Sequence, residues 1–448
     1  MYQTLRTACF VIGGFLLMAS ASAWSEDKYK LEEPVDDVRI FGVGTRITYT
    51  GKVRFPKDVL LAQTMTAVLS YRERRLLGPG GEAESFRSVR EYETAEAEIV
   101  VDGNKSAPHL PSGLKLIVAQ GRPEGVELYG LNGLLTADEL NLIRSPADSL
   151  ALIALLPSKE VEVGEKWTVP NWAFQMLTAL DAVIKGELVC TLDSVDKGIA
   201  RIKMSGALDG AVDGATTEVK VTGFFTYNLE KKYIAESDFV QSENRAIGPI
   251  GPGLNISARI RILRQPGTSP GKLADTKIIE AAVNESPASA KFLRFESPWN
   301  ISIQHARNWH VYKAEETIAI FRLLEEGNLI AQCDMASITP AKPGGHLAEQ
   351  IYLSDIRQSL GDRLKSMTNG EVIPSSDHKF IYKVTAEGAV DQLQVMWVFY
   401  LVADPSGRQA SLMFTVDPSL AEKLAKYDRD FVESLKFGPA PATRAANK

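Results

Sequence analysis

Cysteine is scarce in this 448-residue chain, with three residues, Cys9, Cys190 and Cys333. So few thiols, so far apart, exclude a disulfide-stapled scaffold. Cys190 in ELVCTL and Cys333 in LIAQCDM sit in apolar, strand-like runs, where a thiol packs as a small hydrophobe. Histidine is nearly as sparse. His109, His305, His310, His346 and His378 make no H-x-x-x-H pair and none lies near a cysteine, so the ligand spacing of a zinc site is missing. His305 and His310, on either side of Trp309, are read as solvated or structural. No G-x-S-x-G elbow and no G-x-x-x-x-G-K-[ST] loop occurs. Gly42-Val43-Gly44 lacks a third glycine and precedes a strand, unlike a dinucleotide fingerprint. Asp209 and Asp213, each followed by Gly, with Glu218 beyond, miss the EF-hand spacing and are read as turns. Glu96 with Glu98, and Glu325 with Glu326, are read as solvated faces and turns. No catalytic residue, cofactor or metal ligand is assigned, and the expectation is a protein that is not an enzyme.

Basic charge is also short. Lys and Arg number 50 against 56 Asp and Glu, for a net charge of -6, which argues against nucleic acid as a partner. The densest basic patch, Arg72, Arg74 and Arg75, is interrupted by Glu73 and reads as a hairpin tip. After residue 23 no run approaches the ~20 apolar residues of a membrane span. Residues 1–23 carry Arg6, the apolar stretch ACFVIGGFLLM and Ala21-Ser22-Ala23, the three parts of a cleavable secretory signal, with an uncleaved anchor as the alternative. The expected location is outside the cytoplasm, periplasmic or extracellular.

What is present is strand pattern. Residues 24–37 (EDKYKLEEPVDD within them) have little to bury and read as a flexible leader. Residues 38–264 read as an antiparallel β-rich domain, with TRITYTGKVR, TMTAVLSYRE and FRSVREYETAEAEIVV as early strands. The last of these does not hold one strict alternation, so a bulge or a helical reading stays open. Thr136 with Glu139 three residues on forms a capping box, Pro146 ends that helix, and Asp148 starts a second short one. Trp172, Met176, Leu177, Leu180 and Ile184 fall at helical spacing. Four long alternating runs follow, from Gly186 to Ala246, and LNISARIRILR adds one more strand. Long strands with short turns and one or two helices point to a large curved antiparallel sheet. Trp167, Trp172, Met176, Leu177 and Leu180 are the expected lining of any ligand cavity inside its curve, though core packing explains the same stripe.

Residues 265–292, rich in Pro, Gly, Ser and Ala, read as a linker. Residues 293–437 read as an α+β sandwich, with helices expected at His346–Met367 and Pro418–Leu435, and residues 438–448 as a disordered tail. The fold class expected for the whole is therefore α+β.

Two resemblances add to this. YLVADPSGRQASLMFTVDPS and the following helix ending DRDFVESLKF, with NWHVYKA upstream, resemble the last hairpin and helix of the PsbP-like superfamily, which includes DcrB-like envelope proteins. The resemblance covers roughly the last third of the chain and implies a scaffold or binding module without catalytic residues. The β-domain is similar in outline to LolA-like periplasmic carriers, which implies an apolar cavity. The expected function is an exported, non-catalytic envelope protein binding an apolar small molecule or a protein partner. The alternatives are an exported hydrolase with its site at the domain junction and a structural assembly subunit.

Overall fold

A computed structural model describes residues 27–34, 37–78, 83–283 and 287–438. The signal sequence and nearly all of the tail lie outside the described residues. The first body is one antiparallel sheet of twelve strands: β1 (Ile40–Phe55), β2 (Val59–Leu77), β3 (Phe86–Val101), β4 (Asn104–Ser106), β5 (Leu116–Arg122), β6 (Gly125–Gly130), β7 (Lys166–Thr168), β8 (Ala182–Asp196), β9 (Ile199–Val212), β10 (Ala215–Asn228), β11 (Tyr233–Arg245) and β12 (Gly253–Pro266). Their order is β6-β5-β3-β2-β1-β12-β11-β10-β9-β8-β7, with β4 on β3. The ambiguous FRSVREYETAEAEIVV run is a single strand with a bulge: Ser70 faces Thr94 but Tyr71 faces Tyr92, leaving Glu93 unmatched.

Three helices cover the inner face, α1 (Ala137–Ile143), α2 (Ser149–Ile153) and α3 (Asn171–Thr178). Thr136 and Glu139 cap α1 reciprocally, and the Asp148 carboxylate accepts from Leu150 N at the start of α2. Helix α3 is shorter than its apolar spacing suggests. Ala179 adopts a left-handed φ of 57° and ends it, and Ile184 emerges on β8, 71% exposed. Because α3 touches both β6 and β8, near opposite ends of the strand order, the sheet curls around it.

The expected leader and linker are both docked in their described parts. Tyr29 pairs with Val161, Leu31 is buried, and the Glu33 carboxylate is held inside the sheet. Two short helices of the expected linker, α4 (Thr276–Val283) and α5 (Ala288–Lys291), together with the 3-10 turn before them, cover the outer face of β2, β3, β5 and β6. Leu273, Ala282 and Ala290 pack there on Leu76, Val89, Leu116, Val118 and Tyr129. Strand β5 is thus buried on both faces, which accounts for its unbroken apolar run LIVA.

The second body holds a three-stranded sheet, β13 (Phe292–Glu296), β14 (Ile301–Ala306) and a final short strand, Lys436–Phe437. Its eight-stranded sheet contains β15 (Trp309–Ala314), β16 (Ile318–Glu325), β17 (Asn328–Ile338), β18 (Leu364–Met367), β19 (Glu371–Ile373), β20 (Phe380–Val390), β21 (Leu393–Ala403) and β22 (Gln409–Val416). Helix α6 (Glu349–Leu360) lies on one face against Trp397, Phe399 and Leu401. On the other face, Val398, Tyr400 and Val402 pack toward Trp309, Phe321, Phe414 and Phe431. The expected helix His346–Met367 therefore ends at Leu360 and continues as a strand. The expected helix Pro418–Leu435 is broken into α7 (Ala421–Leu424) and α8 (Asp428–Glu433).

The α+β expectation is corrected by this architecture. Antiparallel sheets of twelve, three and eight strands dominate both bodies and the helices are short, so the chain is a β-rich protein throughout. The sequence reading overstated helix because helical apolar spacing and a strand buried on both faces look alike over eight or ten residues.

Candidate functional site

The strand register places small and apolar side chains in rows on the inner face. Ile47 faces Ala67, which faces Ala97, across β1, β2 and β3. In the next row Ile99, Met65, Tyr49, Ala258 and Gln241 lie side by side across β3, β2, β1, β12 and β11. Ala67, Ala97 and Ala258 are too short to fill the space beneath the helices. A cavity of about 780 Å³ results, roofed by Leu142 of α1, Pro146, and Thr178 and Ala179 at the end of α3. Its size falls in the ~300–1,000 Å³ range of ligand pockets.

Polar groups also contribute much of this lining, among them Gln63, Asn141, Arg144, Gln241, Glu243 and Arg245. Gln63 Nε2 donates to Tyr49 OH at 2.6 Å, and burial raises the Tyr49 pKa. Gln241 is 2% exposed; its Nε2 donates to Thr178 O at 3.4 Å, while its Oε1 has no partner. Glu243 Oε1 accepts from Arg245 Nε and Nη2 at 2.9 and 2.6 Å.

The stripe expected to line the cavity lies elsewhere. Met176, Leu177 and Leu180 are at most 1% exposed within the core. Trp167 donates Nε1–H to Leu155 O at 2.9 Å, and Trp172 packs on Phe86. These five hold the roof to the sheet, and the cavity wall comes from the alternating positions of β1–β3, β11 and β12. Those wall residues were missed because a strand with one apolar face reads the same whether that face is packed or left open. The signal available was the run of alanines at in-facing positions of the longest strands.

A second cavity, about 500 Å³, opens where the two bodies meet. Asn141, Arg144, Val212, Asp213 and Arg245 line both cavities. From the second body come Arg307, Trp309 and His310, which follow β14 or open β15. Arg144 Nη2 donates to Asp181 Oδ1 at 2.6 Å, and Asp213 N donates to Asp181 Oδ2 at 2.6 Å. His310 Nδ1 stands 3.8 Å from Asp213 Oδ1. Burial, and then the neighbouring Asp181, raise the Asp213 pKa, while burial lowers that of His310. The lining of this junction contains an Asp–His pair but no Ser, Thr or Cys.

The remaining sequence candidates are structural. Arg75 lies near the end of the β2–β3 hairpin, as expected, but is buried there, with Nη1 on Pro34 O and Nη2 on Glu33. Arg264 completes that contact, Nη2 to Glu33 Oε1 at 2.7 Å and Nη1 to Oε2 at 3.0 Å. A second buried set joins Arg90, Glu73, Asp148 and Ser149. Cys190 and Cys333 are buried free thiols. Among the described residues no group of three or more His, Cys, Asp or Glu is arranged to hold a metal ion, and no helix is long and apolar enough to cross a membrane.

No protein-family model matches the chain, and no curated protein matches it. Among solved structures, one describing lipid–protein interactions in lipovitellin is similar over 52% of this chain, at 6% identity and a TM-score of 0.30. The chain spans about a quarter of that protein's length, 26%. The type VI immunity protein TplEi of Pseudomonas aeruginosa is similar over 53% of this chain and 74% of its own, at 11% identity and a TM-score of 0.18. The translocator domain of the autotransporter NalP from Neisseria meningitidis is similar over 85% and 90%, at 6% identity and a TM-score of 0.12. At such scores these likenesses carry no argument about the fold or the function of this chain.

Proposed function

We propose that this protein is an exported, non-catalytic binding protein that holds an apolar ligand within the curve of its first sheet. The observation that carries the reading is the cavity of about 780 Å³ between the Ile47, Met65, Ala67, Ala97 and Ala258 face and the helical roof. The cavity walls bear enough apolar surface to hold a chain-like molecule, with polar groups at one end.

The test is binding of a naphthyl fluorophore whose emission rises in apolar surroundings, followed by displacement with long-chain lipids. The wild-type protein is expected to bind the probe and release it to lipid. Ala258→Phe, which fills the wall from β12, is expected to weaken binding by about tenfold or more while the circular dichroism spectrum is unchanged. Absence of probe binding by folded wild-type protein would sink the reading.

A further inference from the structure

The inner cavity has the more apolar lining of the two, with its charged groups Asp138, Arg144, Asp213, Glu243 and Arg245 beside the Ile47, Met65 and Ala258 face. It meets the junction cavity at a common wall, with Arg144, Asp213 and Arg245 belonging to both.

The charges at the junction decide what kind of ligand group fits. Arg144 is matched by Asp181 at 2.6 Å, and Arg245 by Glu243 at 2.6 Å. Asp213 faces His310. Arg307 is different. Its Nη2 donates to two backbone carbonyls, Leu128 O at 2.7 Å and Ser289 O at 3.2 Å. Its Nε has no partner, and no carboxylate among the described residues lies within ion-pair distance of it. A guanidinium carries five N–H donors in a planar fork suited to carboxylate or phosphate oxygens. In Arg307 both Nη2 hydrogens are taken by carbonyls and Nε is enclosed, so Nη1 is the donor left to make a single charge-assisted contact with a ligand oxygen. Burial lowers the Arg307 pKa, and the Glu127 carboxylate nearby offsets this in part without reaching ion-pair distance. The two carbonyls fix the side chain in place beforehand, so little ordering is needed when an anion arrives.

We infer that the ligand is an anionic amphiphile, its chain in the inner cavity and its carboxylate or phosphate head in the junction cavity against Arg307. This rests on the binding function proposed above and adds the ligand class. It also gives the second body a role, since Arg307 and His310 complete a head site that the twelve-stranded sheet lacks by itself. No covalent step is involved.

The experiment uses the full mature chain and displacement of the same naphthyl probe by three ligands of one chain length: oleate, oleyl phosphate and oleyl alcohol. In the wild-type protein at least one anion is expected to displace the probe about tenfold more tightly than the alcohol, the scale of a charge-assisted hydrogen bond. Whichever anion is tighter identifies the head as carboxylate or phosphate. Arg307→Met is expected to weaken the anions about tenfold and leave the alcohol unchanged, with Arg307→Lys between. If the alcohol binds as tightly as both anions in the wild type, or if folded Arg307→Met keeps the preference, the inference is overturned while the apolar cavity stands. If none of the three displaces the probe, the binding function itself fails. The wild-type ranking needs no variant, so a misfolded Arg307→Met leaves the test decisive.

Discussion

Arg90 shows how much of this sheet is held by buried charge. Its Nη1 and Nη2 donate to both oxygens of Asp148 at 2.7 and 2.5 Å, its Nε donates to Glu73 at 2.9 Å, and Ser88 and Ser149 also donate to Glu73. The group joins β2, β3 and the start of α2, and fixes the roof in register with the sheet. Replacing Arg90 by Met leaves two carboxylates buried without a cation, and should cost about 3–5 kcal/mol, measured by urea unfolding. His305 works differently. It is 2% exposed among Phe321 and Phe431, its Nδ1–H donates to Ala306 O at 2.9 Å, and Nε2 has no partner, so the ring is neutral. Burial drops its pKa from 6.5 to about 4. The unfolded chain therefore binds this proton more readily, and stability is retained above pH 6.5 and lost as pH falls toward 4. The loss across that window should be on the order of 3 kcal/mol, seen as the difference in slope of stability against pH between wild type and His305→Leu. Equal slopes would refute it.

Element shape depends on positions where a side chain cannot stand. A Cβ added to Gly223 on β10 would lie 2.2 Å from Phe239 Cβ and 2.4 Å from Asp238 O on the paired β11. The paired strand stands close enough at this point that any side chain on residue 223 would push it away. Gly223→Ala should destabilise by about 1–3 kcal/mol, with amide exchange accelerating first along β10 and β11. Unchanged exchange there would count against this account of the close approach. Other element-level features were legible beforehand. The capping box at Thr136 and Glu139, the break at Pro146 and the cap at Asp148 depend on contacts within a few residues, and the sequence carries them fully. The length of α3 was not legible, because its end is imposed at Ala179 by β8 turning back into the sheet.

At the scale of the molecule, the two bodies are joined through more than one connection. Arg294 N donates to Leu135 O at 2.8 Å, Arg307 reaches Leu128 O, and Arg322 donates to Pro249 O. The turns at Gly214 and Gly327 approach so closely that a Cβ on Gly214 would lie 2.1 Å from Gly327 O. The segment between the bodies is itself docked, with Leu273 fully buried against the outer face. Leu273→Asp should release that segment at a cost of about 2–5 kcal/mol. The expected readout is proteolytic cleavage within residues 268–283 at native temperature, where the wild type resists. Cleavage of both at the same rate would show that the docking does not persist in solution.

By itself the sequence determined most of the long strands of the first body, most of the turns and the paired short helices. These follow from alternation, glycine and proline placement and local capping, all short-range properties. Only the tertiary structure decided which apolar faces stay uncovered. Whether Ala67, Ala97 and Ala258 meet a filled core or an open space depends on how far the helical roof stands from strands distant in the chain. The same holds for charge. Glu33 reads as part of a polar leader and Arg75 as part of a surface cluster until the fold places them together, because pairing two buried ions requires long-range geometry that no local pattern encodes.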